Sequence, residues 1–131
     1  MIELKLLSYA MKFFYLIFLL PLYARSFAQI DPSLTETGTA SYYAKKFEGR
    51  RCSSGDIFRN DSLTAAHKTL KFGTMLKVTN LKNDSVVIVR VNDRLPKKSK
   101  RKIDLTRQAA KQLNFIERGL TKVRIEILEY P

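Results

Sequence analysis

The sequence predicts a small, mainly β domain that folds as a closed or nearly closed barrel and carries one short helix. Short runs of β-forming residues alternate with turn signals between residues 37 and 128, and helical periodicity occurs once, late in the chain. A chain of 131 residues has room for one domain of ordinary size. Closing the sheet into a barrel also removes the exposed strand edges that so small a domain would otherwise present.

The N-terminal segment has the layout of a secretory signal peptide. A charged start at Met11 and Lys12 is followed by the apolar run 13–20 and by a polar stretch that ends in Ser-Phe-Ala at 26–28. A membrane anchor is the alternative, but a spanning helix needs about 20 apolar residues, and Pro21 ends this run. We expect residues 1–28 to be cleaved, with Met11 as an alternative start, and residues 29–36 to form a linker.

Charge and cysteine usage narrow the function classes. A formal net charge of +12 favours polyanionic partners, namely nucleic acid, anionic lipid or acidic cell-wall glycan. Export makes nucleic acid the least favoured of these, and no zinc-finger spacing or RNA-binding signature is present. Cys52 is the single cysteine, so no internal disulfide is available. It is interpreted as a semi-buried thiol without chemistry, with a nucleophile as the alternative.

The predicted elements of the first part of the domain follow in chain order. Residues 37–44 are predicted as a strand, 49–60 as a surface loop, 63–69 as a helical turn, and 75–80 and 86–92 as a hairpin around the turn residues 82–85.

The periodicity changes after Ile103. Leu105, Ala109 and Leu113 recur every four residues, which predicts a helix, and Asp104 is the predicted N-cap. The closing segment 123–128 alternates apolar and charged side chains and predicts a half-exposed strand.

Four ionisable residues lie beside predicted turns or element ends. Asp56 follows a glycine in the loop, His67 is the only histidine, Asp93 ends an apolar strand, and Asp104 opens the helix. Burial at a strand end raises a carboxyl pKa and suits a general acid, so Asp93 is a catalytic candidate. From the residues alone Asp93 is equally well explained by pairing with Arg94 or by receiving turn amides.

Ordered blocks of sequence resemble successive motifs of the rare lipoprotein A family of peptidoglycan-cleaving lytic transglycosylases. They span most of residues 37–128 and read Gly-Thr-Ala-Ser-Tyr-Tyr (38–43), Gly-Arg-Arg-Cys-Ser-Ser-Gly-Asp-Ile-Phe (49–58), Leu-Thr-Ala-Ala-His-Lys-Thr-Leu (63–70), Phe-Gly-Thr (72–74), Val-Thr-Asn-Leu (78–81), Val-Asn-Asp-Arg (91–94), Ile-Asp-Leu-Thr (103–106) and Val-Arg-Ile-Glu-Ile-Leu (123–128).

The resemblance implies a six-stranded double-psi β-barrel that cuts glycan strands between N-acetylmuramic acid and N-acetylglucosamine and leaves 1,6-anhydro ends. It also implies that the family's functional polar positions fall on Asp56, His67 and Asp93. The chain departs from the family pattern at Asp56, where glutamate is usual, and at Leu95, where glycine is usual. On chemical grounds Asp93 is the expected acid and base, with Asp56 and His67 orienting the sugar or tuning the proton affinity of Asp93.

The basic run 97–102 follows the Val-Asn-Asp-Arg block. Lys97 and Lys98, assisted by Arg94, are expected to hold carboxylates of the glycan; a solvated loop is the alternative. No metal or organic cofactor is expected.

Two functions follow from these observations. The first is an exported, monomeric enzyme of the periplasm or cell envelope that acts on peptidoglycan. It is expected to carry no lipid, because the residue directly after the cleavage site is Gln29 and not cysteine. No nucleic acid or membrane partner is expected after cleavage. The second is an expansin-like module that grips wall glycan without cutting it.

Overall fold

The computed structural model describes residues 32–131. The predicted signal peptide and the first residues of the predicted linker lie outside this range. Six strands and one α-helix occur within it: β1 (Thr35–Tyr42), β2 (Thr64–His67), β3 (Met75–Asn80), β4 (Val86–Arg94), β5 (Ile103–Leu105), α1 (Arg107–Gln112) and β6 (Thr121–Glu129). Two short 3-10 helices, Pro32–Leu34 and Lys45–Phe47, precede and follow β1.

The strands close into a barrel in the order β1-β5-β2-β4-β3-β6, which confirms the six-stranded barrel with one short helix. The pairs β1/β5 and β2/β4 are parallel, and the other four pairs are antiparallel. The predicted hairpin is confirmed as β3 and β4. No sheet edge is left open in this arrangement, since each strand has two neighbours.

The barrel interior is filled by alternate side chains of the long strands. In β4, Val87, Val89 and Val91 are buried and alternate with the exposed residues Ile88 and Arg90; in β6, Val123 and Ile125 are buried on either side of exposed Arg124. Phe115, which follows α1, is the largest fully buried side chain among the described residues. Apolar burial of this kind stabilises the domain without a disulfide.

The predicted helical turn at 63–69 is wrong, because Thr64–His67 forms strand β2. This short strand lies between β4 and β5 and pairs with both, and all four of its residues are buried. Small Ala65 and Ala66 fit between two neighbouring strands, where pairing on both sides outweighs the helical preference of alanine.

The predicted N-cap at Asp104 is also wrong. Asp104 lies in β5, and the cap is Thr106, whose Oγ1 accepts a hydrogen bond from the Ala109 amide at 3.3 Å. The helix itself is confirmed, although Leu105 belongs to β5.

Strand β1 begins at Thr35, so the last two residues of the predicted linker belong to the sheet, where they pair with β6. Within the described range, no helix has the length and apolarity needed to cross a membrane.

Candidate active site

A β-bulge at the end of β4 creates the site. In the parallel pairing with β2, Ala65 faces Val91 while Ala66 faces Asp93, so Asn92 is left over. Such an extra residue bends a strand and redirects the side chain that follows it. The Asn92 carbonyl instead accepts the Ser54 amide at 3.2 Å, which docks the loop 49–58 onto the strand end.

Asp93 is held by hydrogen bonds on both carboxylate oxygens. Tyr43 donates its hydroxyl to Oδ2 at 2.5 Å, and the backbone amides of Ser53 and Arg94 each donate to Oδ1 at 2.9 Å. Of the two structural explanations left open by the sequence, the structure therefore supports the bound amides.

The pKa of Asp93 lies below the usual value for an aspartate. Burial raises it, as the sequence predicted, but the hydrogen bonds from Tyr43 and from the Ser53 and Arg94 amides stabilise the charged form and outweigh burial. The expectation of a net raised pKa is therefore wrong for the free protein, in which Asp93 is an ionised carboxylate at neutral pH.

Tyr43 follows β1 and is fixed by aromatic packing. Its ring lies 4.5 Å from that of Phe58 and 5.7 Å from that of Phe47, measured between centroids. Burial and the hydrogen bond to Asp93 raise the pKa of the Tyr43 hydroxyl well above its ordinary value, so it stays a proton donor to the carboxylate. The sequence reasoning did not single out Tyr43, although it stands in the Ser-Tyr-Tyr block.

These residues line a cleft of about 460 Å³. Aromatic, apolar and basic side chains all contribute to its walls, and the lining residues are Tyr43, Phe47, Arg50, Arg51, Cys52, Phe58, Asp93, Arg94, Leu95, Pro96, Arg101 and Asp104. A carboxylate beside aromatic rings and cations can bind a sugar and exchange a proton with it.

Asp104 is the second carboxylate that lines this cleft. The sequence instead predicted it as a helix cap. It accepts the Ser41 hydroxyl at 2.5 Å and a two-point ion pair from Arg101 at 2.7 and 3.0 Å. Parallel pairing of β1 with β5 brings Ser41 opposite Asp104. No local pattern in the sequence reports this pairing.

Asp56 lies outside the lining of this cleft, on the exposed side of the loop 49–58. Its carboxylate is 42% exposed and accepts Arg90 at 3.1 Å and Asn92 at 3.4 Å. The hydrogen bond from Arg90 is the largest cause of the lowered pKa of Asp56, and the hydrogen bond from Asn92 is the next largest. The side chain therefore ties the loop to β4, on which Asp93 also lies.

His67 is buried at the end of β2 and faces a different groove, lined by residues of the N-terminal segment and β6. Its Nδ1 accepts the amides of Thr69 and Leu70, and its Nε2 contacts Glu36. The hydrogen bond from His67 is the main cause of the lowered pKa of Glu36.

The backbone of His67 does reach the cleft wall. Its carbonyl accepts the Leu95 amide and Arg94 Nη1, both at 3.3 Å. Leu95 is buried, and among the described residues only Asp84 and Asn114 have a positive φ without being glycine, so the backbone at Leu95 does not require glycine.

The predicted substrate-binding cations divide into two groups. Arg94 lines the cleft, with its guanidinium 4.1 Å from the centre of the Phe72 ring. Lys97 and Lys98 are exposed in the turn closed by the Ser99 amide on the Pro96 carbonyl, and they do not line the cleft.

Cys52 is buried and lines the cleft. Burial, together with the negative charges of Asp93 and Asp56, raises the pKa of its thiol to about 11. A protonated thiol is a poor nucleophile, which supports the interpretation without chemistry. Within residues 32–131, no cluster of three or more His, Cys, Asp or Glu side chains is arranged to hold a metal ion.

The fold and the cleft define a class, a closed six-stranded β-barrel with an ionised aspartate at a bulged strand end. Residues 35–125 match the family described as lytic transglycolase, whose domain is the double-psi β-barrel, and the chain belongs to this family.

Curated relatives agree with this assignment. The chain is 51% identical over 96 residues to the endolytic peptidoglycan transglycosylase RlpA of Haemophilus influenzae, covering 73% of this chain and 33% of that protein. It is 47% identical over 96 residues to the Campylobacter jejuni protein of the same name, covering 73% and 35%. The chain thus spans about a third of the length of these relatives.

Solved structures share the fold. The apo form of Clavibacter michiganensis expansin superposes with a TM-score of 0.59 at 21% identity, covering 74% of this chain and 52% of that one. A Streptomyces papain inhibitor superposes with a TM-score of 0.59 at 20% identity, covering 72% and 94%. At these identities the likeness concerns the fold alone.

Proposed function

We propose that this protein is an endolytic lytic transglycosylase of peptidoglycan. The observation that carries the proposal is the ionised Asp93, which lies in the cleft at the bulged end of β4. The chain that forms this cleft belongs to a family of lytic transglycolases. Curated relatives named endolytic peptidoglycan transglycosylases, at about half identity over the barrel, support the same substrate.

The reaction needs a group that donates a proton to the leaving oxygen and a group at the same position that then accepts a proton from the attacking hydroxyl. The bond from C1 of N-acetylmuramic acid to O4 of N-acetylglucosamine breaks as O4 takes a proton, and the C6 hydroxyl of the muramic acid attacks C1. That hydroxyl loses its proton as the C1–O6 bond forms, so the 1,6-anhydro ring closes without water. One carboxyl group that first donates and then accepts a proton serves both steps.

Asp93 fills this role if its proton affinity rises when the glycan binds. Burial already acts to raise its pKa in the free protein. A sugar ring that displaces water from the cleft increases this desolvation and favours the protonated acid. Once the proton is transferred to O4, the hydrogen bonds from Tyr43, Ser53 and Arg94 stabilise the carboxylate that acts as base.

We assign supporting roles to the other two predicted residues. Asp56 holds the loop 49–58 against β4 through Arg90 and Asn92. His67 keeps the end of β2 in place, and its carbonyl positions Leu95 and Arg94 in the cleft wall. Both residues would affect Asp93 indirectly, by holding in place the loop and the strand end near it.

The location follows the substrate. We propose that the chain is exported, that residues 1–28 are removed, and that the mature protein acts in the periplasm or cell envelope as a monomer without attached lipid or cofactor. The signal-like layout of residues 11–28 and the relatives that act on peptidoglycan support this.

Digestion of purified sacculi tests the proposal. We expect soluble muropeptides with 1,6-anhydro ends, detected by mass spectrometry, and at least about a hundredfold less of them from Asp93→Asn, because general acid catalysis is worth roughly 10²- to 10⁴-fold. The variant should fold and melt at only a somewhat lower temperature, because it lacks the carboxylate charge that the hydrogen bonds stabilise.

Asp84→Asn is the matched control, since Asp84 is exposed in the turn between β3 and β4. It should retain wild-type activity. If the wild type releases no anhydro product from either naked or peptide-bearing glycan, the enzymatic proposal fails and the wall-gripping alternative replaces it.

A further inference from the structure

We infer that Arg50 and Arg51 form a carboxylate-binding arm of the cleft that selects acidic over neutral glycan. The inference rests on the proposed function and names the chemistry by which the same cleft recognises its substrate. The sequence had placed this role on Lys97 and Lys98, which lie outside the cleft lining.

The backbone around the two arginines is fixed before any ligand binds. The Phe58 amide donates to the Arg50 carbonyl at 2.7 Å, the Gly49 amide donates to the Phe58 carbonyl at 2.9 Å, and Arg51 forms a β-bridge with Ile57. Preorganised side-chain positions reduce the entropy lost on binding.

Each of the two guanidinium groups makes one contact within the protein and keeps further N–H donors for a ligand. Arg50 lies 5.2 Å from the centre of the Phe47 ring, and Arg51 Nη1 donates to the Gly55 carbonyl at 2.9 Å. An arginine has five N–H donors in a planar fork that matches the two oxygens of a carboxylate.

Four of the nine arginines within residues 32–131 are paired with a carboxylate, and the two arginines of the arm are not among them. Arg59, Arg90, Arg101 and Arg124 each contact a carboxylate at 3.6 Å or less. Within the described residues, neither Arg50 nor Arg51 has a carboxylate within 4 Å. Arg94, Arg107 and Arg118 also lack one among these residues. Of these three only Arg94 lines the cleft, and it stacks on Phe72 and donates to the His67 carbonyl.

The balance of charge in the cleft points to an anion. Four arginines and two aspartates line it, and one arginine is neutralised by Asp104. A neutral glycan would gain little from the remaining positive charge, whereas a sugar that bears a carboxylate beside the reacting bond would be held by it. In peptidoglycan that carboxylate comes from the lactyl group of muramic acid or from the stem peptide.

Binding of short saccharides tests the inference without requiring cleavage. The ligands are the disaccharide N-acetylglucosaminyl-N-acetylmuramic acid with a free lactyl carboxylate, its dipeptide form with the carboxylates on the peptide, and neutral diacetylchitobiose. Calorimetric titration at about 0.1 M salt should show that Arg50→Gln/Arg51→Gln binds an acidic ligand roughly tenfold more weakly, through loss of a charge-assisted fork. Binding of the neutral disaccharide should change by less than about twofold.

The two acidic ligands identify the source of the carboxylate, because the ligand that loses affinity in the variant carries the recognised group. Lys82→Gln/Arg118→Gln is the matched control, since it removes the same charge from exposed positions outside the cleft lining. It should leave all three affinities unchanged.

Equal weakening of acidic and neutral ligands, or a wild type that does not distinguish them, would overturn the inference. A double variant whose affinities all match the wild type would also overturn it. Selective loss in the absence of any anhydro product would instead support the binding arm and reject the enzymatic proposal, so the two failures are distinguishable.

Discussion

At the scale of single residues, the protonation of Asp93 is decided by competing local forces. Burial alone favours the neutral acid, while three hydrogen-bond donors favour the carboxylate and win in the free protein. The hydrogen bond from the Tyr43 hydroxyl has the largest effect of these donors, and packing against Phe58 and Phe47 holds the Tyr43 ring in place.

Replacing Tyr43 with phenylalanine should therefore raise the pKa of Asp93 toward the ordinary aspartate value. The variant loses a donor that stabilises only the charged form. An NMR titration of the Asp93 carboxyl carbon measures the change directly.

The sign for stability follows from the same pKa. A carboxyl whose folded pKa is lowered adds stability above its unfolded pKa, and this stability disappears as the pH falls through the folded value. The stability that is lost as the pH falls should therefore be smaller in Tyr43→Phe than in the wild type. Tyr42→Phe is the control, because the Tyr42 hydroxyl donates to the Ile116 carbonyl at 2.6 Å. An Asp93 titration that is identical in wild type and Tyr43→Phe would show that the hydroxyl does not set this pKa.

At the scale of elements, α1 shows how a six-residue helix is started by neighbouring segments. Its first four amides are all satisfied, Arg107 and Gln108 by the side chain and carbonyl of Asn60, and Ala109 and Ala110 by the hydroxyl and carbonyl of Thr106. Isolated helices of this length are not stable in water, so the caps and the barrel maintain it.

Thr106→Val should lower the free energy of unfolding by about 2 kcal/mol. The substitution removes the cap at the fully buried Thr106 and leaves the partly buried Ser62 carbonyl, which accepts the Thr106 hydroxyl at 2.6 Å, without that donor. Urea unfolding followed by circular dichroism measures the loss.

Thr106→Ser is the control, because it keeps the hydroxyl and removes one methyl group. Its loss of stability should be clearly smaller than that of the valine variant. Equal losses would mean that packing of the methyl group, not the cap, accounts for the stability at this position.

At the scale of the whole molecule, the large excess of Lys and Arg over Asp and Glu produces a positive field that extends beyond the cleft. Exposed lysines that do not line the cleft, such as Lys97 and Lys98, add to it. Such interactions are screened over about 10 Å at 0.1 M salt and about 3 Å at 1 M.

Binding to intact sacculi should consequently weaken as salt is added, and Lys97→Gln/Lys98→Gln should bind less tightly at low salt with a shallower salt dependence. Sedimentation of sacculi with bound protein across a salt series measures both quantities. Parallel salt curves for the variant and the wild type would assign the two lysines to a solvated turn.

Local sequence determined much of this protein. Runs of β-forming residues predicted β3 and β4, alternation of apolar and charged side chains predicted β6, turn residues predicted the hairpin, and four-residue spacing predicted the helix. The ordered blocks predicted the barrel and made Asp93 a candidate. These features depend on neighbours within a few positions, which the sequence displays directly.

Only the tertiary structure decided β2, the cap and the composition of the cleft. Ala65 and Ala66 become a strand because two distant strands pair with them, and Asp104 meets Ser41 across 63 positions of sequence. Only the structure shows that the Tyr43 hydroxyl donates to Asp93 and that His67 lies in another groove. Each depends on register between strands far apart in the chain, and the free energy of such pairing is a property of the closed barrel that no local pattern encodes.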